Sequence, residues 1–321
     1  MDSNTTTCLI MIWSDQAANA LKLPFYICVI AASIHLLFWL NMIAYPTVRQ
    51  RSMQWLYAYL GTDLFLLLRF FFLYVYRWWP LCIPHMVRTI ICYCEAILDT
   101  YLNLLQSFIL LALNICRYIQ IVRNHDVYVY KQHMMIVIHF LVYILPLLYY
   151  IVSILCHWFI LYRPYGDACD VDLASIAVQI SFLTFSYLIP VSLTLIFLLL
   201  SLKFVRNTNG IQTEQIIIAR LKYHRRLVIQ SSVFYSLWLA LWSPYLLVFS
   251  FYRRNTIASN ITQILSYISI ALDPIVIAAL DVRFLRAWHT SWNHLMRFLR
   301  PARIAPIGKE IVTNCQLNVQ K

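Results

Sequence analysis

Charge and glycine are the two things this 321-residue chain has least of. Only 12% of its residues are charged and 62% are hydrophobic, whereas globular chains run at about a quarter charged and about half apolar. A soluble domain needs that missing charge to cover its surface, so a soluble globular class is excluded first. The four glycines, Gly61, Gly166, Gly210 and Gly308, are too few and too scattered for a phosphate-binding loop, a dinucleotide fingerprint or a GxxxG helix-dimer face. A potassium-type ion filter needs paired glycines and is excluded with them. The sequence has no HExxH and no paired CxxC, so metal-assisted hydrolysis has no local signature. No nucleophile and base stand out together either, and an enzyme is not expected.

What the chain does have is long apolar runs. A helix rising about 1.5 Å per residue needs about 20 apolar residues to cross about 30 Å of hydrocarbon. Candidate spans fall at residues 23–45, 56–76, 87–118, 134–161, 173–204, 227–251 and 257–280. The expected fold is therefore an all-α membrane protein, a seven-transmembrane helix bundle over 23–280. Seven spans of about 25 residues use more than half of the chain, so no separate soluble domain is expected beside the segments 1–22 and 298–321. The third and fifth runs exceed the hydrocarbon thickness and are expected to project beyond it. Pro146, Pro190, Pro244 and Pro274 fall inside spans, which membrane helices tolerate when neighbours re-satisfy the freed carbonyls. The two halves share no repeat, which weighs against a secondary transporter.

Basic residues are distributed asymmetrically. With the N-terminus outside, 18 of the 25 Lys and Arg residues lie on the cytoplasmic side, and Arg69 lies within a span. The positive-inside rule thus predicts an extracellular N-terminus and a cytoplasmic C-terminus. Asp167, Asp170 and Asp172 cluster on the opposite, outer side, as do the glycosylation sequons at Asn4 and Asn260. The formal charge of +12 is spread over several loops, so attraction to anionic inner-leaflet lipid explains it better than nucleic-acid binding. No cleavable signal peptide is evident, and the first span would act as the insertion signal. Over 281–297, Val282, Leu285, Trp288, Trp292, Leu295 and Met296 recur at helical spacing between Arg283, Arg286 and His289. This pattern predicts a short amphipathic eighth helix on the inner membrane surface, followed by a polar cytoplasmic tail over 298–321.

Polar side chains inside spans are costly to desolvate and usually face the bundle interior. In the third span Glu95, Asp99, Asn103, Gln106, Asn114 and Arg117 fall within an arc of about 100° on a helical wheel. Such a stripe could line a water-filled pathway, or it could stitch the bundle together through ion pairs and hydrogen bonds. His35, Asp63, Arg69 and Asp273 lie in other spans.

The ordered series Asp63, Cys92, Cys116-Arg117-Tyr118, Cys169, Pro190, Leu241-Trp242-Ser243-Pro244 and Asp273-Pro274 resembles the rhodopsin-like (class A) family of G-protein-coupled receptors. The resemblance runs from the second span to Phe284, which matches the aromatic opening the family's eighth helix. It implies a plasma-membrane receptor that passes an extracellular signal to a heterotrimeric G protein. It also implies a disulfide from the third helix to the second outer loop. Cys92 then pairs naturally with Cys169, although Cys82 and Cys94 compete. Arg117 and Tyr118 stand where the family contacts its G protein, and Asp63, Pro244, Asp273 and Pro274 stand at its switch positions. Asp63 and Asp273 are candidate ligands for a sodium ion, and no other cofactor is expected. The sequence departs from the family pattern at His35, Ile277, Cys116 and His224, in place of an asparagine, a tyrosine and two acids. Without the acid at Cys116, Arg117 loses its usual same-helix partner, so raised ligand-independent activity is expected.

By the same resemblance, Asp99 occupies the position that pairs with a ligand's cation, and Tyr267 matches the tyrosine that orients it. Glu95, Trp242, Tyr245 and Gln263 complete the expected ligand site. With the acidic outer loop, the mouth looks electronegative and suited to a cationic ligand. A basic peptide is the expected ligand, such as a neuropeptide, with a small amine as the alternative and a transporter or channel as the distant rival. Arg69, at similar depth, is the competing partner for Asp99 or Glu95.

Overall fold

Each apolar run folds as a helix, the arrangement that satisfies every backbone N–H and C=O within one segment. The protein is described by a computed structural model covering residues 9–10, 12–49, 51–79, 82–123, 132–162, 169–208, 215–251 and 256–299. Asn4, Asp167 and the tail from residue 300 lie outside the described residues. Helix α1 spans Asp15–Ala44, α2 Gln54–Tyr76, α3 His85–Arg123 and α4 Gln132–Leu155. Helix α5 is built of Ile176–Leu183, a wide π-type turn Thr184–Leu188, and Ile189–Thr208. Then come α6 (Gln215–Phe251), α7 (Thr256–Leu280) and α8 (Val282–Leu299). Seven of these segments, α1 to α7, are long and apolar enough to cross a membrane, and they form an all-α bundle.

The bundle is organised around α3, which packs against α2, α4, α5 and α6. In its most apolar stretch 78% of residues are buried, against 22% for α1 and α4. The outer helices turn Leu36 and Leu40, Phe140 and Leu141, and Leu199 outward, so the apolar surface faces away from the protein. That inversion of the soluble pattern is what a bundle solvated by lipid requires.

Three expected boundaries move by more than five residues: α6 starts at Gln215 rather than 227, and α1 and α4 change for local reasons. Helix α1 starts at Asp15 rather than 23 because Ser14 caps it, its side chain accepting from the Ala17 N–H at 3.2 Å. Helix α4 stops at Leu155 rather than 161. His157 takes φ 55°, while the N–H of Trp158 donates to Ser153 and that of His157 to Ile154. This is a Schellman stop, with histidine at the left-handed position glycine usually holds. Beyond it Phe159–Tyr162 pairs antiparallel with Asp170–Leu173, with Leu161 opposite Val171. Residues expected in the fourth and fifth spans therefore form a hairpin, with Val171 and Leu173 buried and Asp172 exposed between them.

That hairpin is fixed to α3 by a disulfide between Cys92 and Cys169, whose Cα atoms lie 5.3 Å apart. Neither competitor takes Cys169: Cys94 is free and exposed, and Cys82 is engaged in a separate disulfide. A second small strand pair, Leu9–Ile10 with Cys82–Ile83, lies in the segments that precede α1 and α3. At the far end of α3, α8 is preceded by Asp281, whose Oδ1 accepts the Arg283 N–H at 2.9 Å. Phe284 stacks on Phe38 of α1 at 4.7 Å, and Ser291 donates to Asn41 at 2.5 Å. On α8, Leu285, Trp292 and Met296 are exposed while Phe284 and Ala287 are buried.

Candidate functional site

The polar stripe of α3 is turned inward: Glu95, Asn103, Gln106, Asn114 and Arg117 are all buried, and Asp99 is partly so. Each member meets the bundle at a different depth, and the disulfide end and the Arg117 end are built differently.

At the disulfide end both acids carry arginines. Asp99 Oδ1 is 2.8 Å from Arg69 Nη1, and Asp99 Oδ2 accepts from the Tyr245 hydroxyl at 2.8 Å. Arg69 also donates from Nε and Nη2 to the Glu95 carbonyl, at 3.2 and 2.7 Å. Glu95 Oε2 pairs instead with Arg77 Nη2 at 2.5 Å, in a pair only 3% and 1% exposed. Arg77 reaches Cys169 Sγ at 3.6 Å and lies under the Trp13 ring, 4.6 Å from its centroid. The disulfide and the Trp13 ring cover this deep pair, while the other carboxylate oxygen, Glu95 Oε1, is buried without a hydrogen bond.

The expected assignments change here in two respects. Tyr245, not Tyr267, donates to Asp99; Tyr267 is buried edge-on against Phe70 at 5.1 Å, with Gln263 beside it. The electronegative mouth is also reduced, because Glu95 and Asp99 are each matched by a cation. Arg77 carried no sequence signal beyond its place among the outer basic residues, and its role depends on where α2 ends.

Below this layer, Trp242 Nε1 donates to Asn103 Oδ1 at 3.1 Å, and Trp242 stacks on Trp238 at 4.6 Å. Thr100, Asn103, Phe182, Ser186, Tyr245 and Phe249 line part of a narrow, partly open crevice with room for about one water molecule. It lies against the π-type turn of α5, where Ser186 donates to the Phe182 carbonyl at 2.6 Å.

In mid-bundle the chemistry reverses. Gln106 Nε2 donates to Asp63 Oδ1 at 2.5 Å, and the Tyr59 hydroxyl donates to Asp273 Oδ2 at 3.0 Å. Among the described residues neither acid has a cationic partner, and Asp63 Oδ2 is buried with no hydrogen bond. Tyr59, one turn before Asp63 on the same face of α2, was not singled out from sequence. No group of three metal-ligating side chains occurs among the described residues. The orphaned oxygen on a buried acid does fit a monovalent cation, which Asp63 and Asp273 would hold together. Beside them Pro274 leaves the Ile270 carbonyl without its helical N–H, and His35 Nε2 fills that place at 3.1 Å. Because a carbonyl only accepts, His35 carries its proton on Nε2.

At the opposite end Arg117 Nη1 donates to Ser231 Oγ on α6. Cys116 is buried beside Met135, its sulfur 3.9 Å from Met135 Sδ, and Tyr118 packs on Phe197 at 5.4 Å. Arg117, Gln230, Phe234 and Ile277 line a second narrow cavity there. Pro244 and Pro274 lie inside α6 and α7 at the depths where α6 meets α3 and α7 meets α2. Asn260 is exposed in the early turns of α7, with Thr262 buried and bonded back to Ala258. The His224 side chain lies outside the described residues.

No protein-family model matches this sequence, and no curated protein is significantly similar to it. The chain is a seven-helix bundle of the multi-pass membrane type, and its two ends are held by different chemistry.

Proposed function

We propose that the protein is a receptor of the rhodopsin-like G-protein-coupled type, in the plasma membrane, with the disulfide end extracellular and the Arg117 end cytoplasmic. The observation that carries this reading is the continuous polar seam of α3. It links a pinned, partly open outer layer to an arginine that bonds α6 at the other end. A ligand that changes the outer layer biases two packings of α6 against α3, and the inner face admits a G protein in one of them. Arg117 released from Ser231 is the group that reaches the partner. Sodium at Asp63 and Asp273 would favour the packing in which Gln106 and Tyr59 hold those acids. The face of α8 bearing Leu285, Trp292 and Met296 lies on the inner leaflet.

The Cys116 side chain lies beside Met135, so Ser231 rather than a same-helix acid restrains Arg117. An amine or basic peptide would enter by competing with Arg69 for Asp99. The direct test is guanine-nucleotide exchange on a panel of heterotrimeric G proteins, using membranes that carry the protein, with neuropeptides and amines as a screen. Accelerated exchange that is lost in Arg117→Ala and raised without ligand in Ser231→Ala supports the reading. Exchange no faster than in protein-free membranes, for every G protein in the panel, overturns it.

A further inference from the structure

The crevice at the Arg117 end has hydrocarbon walls from Leu56, Leu113, Phe234 and Ile277, and two polar residues, Arg117 and Gln230. Both are 6% exposed, so each polar group is largely out of water. Arg117 donates to the neutral hydroxyl of Ser231, and Gln230 is the residue before Ser231 on α6, which brings its side chain to the same crevice. Gln230 Nε2 is buried with no hydrogen-bond partner among the described residues. No carboxylate among the described residues lines the crevice. Position 116, next to Arg117, is a cysteine beside Met135, and Asp281, at the end of α7, pairs with Arg283.

A guanidinium and an orphaned amide N–H therefore meet one small space with room for about one water molecule. A buried guanidinium attracts any anion that can reach it, and an unpaired amide N–H gains from any acceptor. Water would answer the amide without answering the charge. A monatomic anion does both, because it accepts from every direction. Sulfate and phosphate, with four oxygens each, are too large for the space. Chloride is only slightly larger than water, and the crevice is not fully enclosed. We propose that this crevice is a halide site, in which one chloride ion bridges Arg117 of α3 and Gln230 of α6 and holds the two helices together. Its consequence for signalling rests on the receptor reading: the ion favours the packing of α6 against α3 that excludes the G protein, so chloride lowers ligand-independent exchange.

The test is thermal unfolding of the full-length protein in detergent, with sodium held constant while chloride replaces gluconate. The wild-type melting temperature should rise saturably by about 2–4 °C. Bromide should reproduce the rise and sulfate should not. Gln230→Leu replaces the amide by hydrocarbon of similar size and should abolish the rise. Gln230→Glu supplies the anion covalently. In gluconate it should melt no lower than the wild type does in chloride, and chloride should add nothing further. Asp63→Asn should keep the full chloride effect, which separates this site from sodium in mid-bundle. A rise of the same size in Gln230→Leu is a general salt effect and would overturn the proposal. So would wild-type stability indifferent to chloride, the result expected if the crevice takes up water alone. If one variant at 230 fails to fold the other decides. If both fail, the wild type decides: a saturable rise with both halides upholds the site, and a rise that sulfate matches overturns it. Melting reports binding alone, so the halide site and the receptor reading can each fail while the other stands.

Discussion

Two pairs of acids lie on the axis of this bundle, and they are stabilised in opposite ways. Glu95 and Asp99, at the disulfide end, are matched one-to-one by Arg77 and Arg69. Asp63 and Asp273, in mid-bundle, have only the neutral donors Gln106 and Tyr59. The difference follows from what each level can offer. Near its end, α2 places two long arginine side chains against α3, covered by Trp13 and the disulfide. In mid-bundle the surrounding positions are large and apolar, and Trp238, Leu67 and Ile109 are fully buried there. A fixed cation at that depth would need its own desolvation repaid, so the acids are left to the neutral donors Gln106 and Tyr59.

The sharpest way to break the first pair is Arg77→Gln, which leaves Glu95 as a buried charge without its partner. A loss of about 3–5 kcal/mol is expected, read from unfolding in detergent, and Arg77→Gln with Glu95→Gln should recover most of it. A double variant no more stable than the single one would remove pairing as the explanation. Next comes Cys92→Ser, which frees the hairpin from α3 and should cost about 2–4 kcal/mol. Its signature is faster hydrogen exchange in Asp170–Leu173 with exchange in mid-bundle unchanged.

Trp13→Ala should cost about 0.5–2 kcal/mol by uncovering Arg77. In an Arg77→Gln background the same change should cost clearly less, which a double-mutant cycle measures directly. Asp63→Asn sharpens the contrast from the other side. It keeps an oxygen for Gln106 while removing one uncompensated acid, so stability should change by less than about 1 kcal/mol or rise. Thermal stability of the wild type should be higher in sodium chloride than in N-methylglucamine chloride, and Asp63→Asn should abolish that difference. A sodium effect that survives in Asp63→Asn would place the ion elsewhere.

Much of this was legible in the sequence because the signals are local and cumulative. Twenty apolar residues in a row can satisfy their backbone in lipid only as a helix, so seven runs give seven helices whatever surrounds them. The α3 stripe was legible for the same reason, since one residue per 100° fixes which side chains share a face. The ends of elements were less so. Nothing in the apolar run past Leu155 marks a stop, because the stop is made by His157 adopting a left-handed conformation that glycine would have announced. The partners of the stripe were least legible. Arg69 was an evident rival for Asp99, but Arg77, Tyr59 and Ser231 acquire meaning only once α2 and α6 are set against α3.

The sequence by itself therefore determined the environment, the number of spans and the inward face of the central helix. Each of those depends on transfer free energies and helical periodicity, which act within a single segment. Tertiary structure decided which cation meets which acid, that Tyr245 rather than Tyr267 meets Asp99, and that His35 serves the carbonyl freed by Pro274. Such choices turn on differences of a few ångströms between residues 18 to 235 positions apart in sequence. The energy of a buried charge is steep in distance and in access to water, and only the packed bundle fixes both.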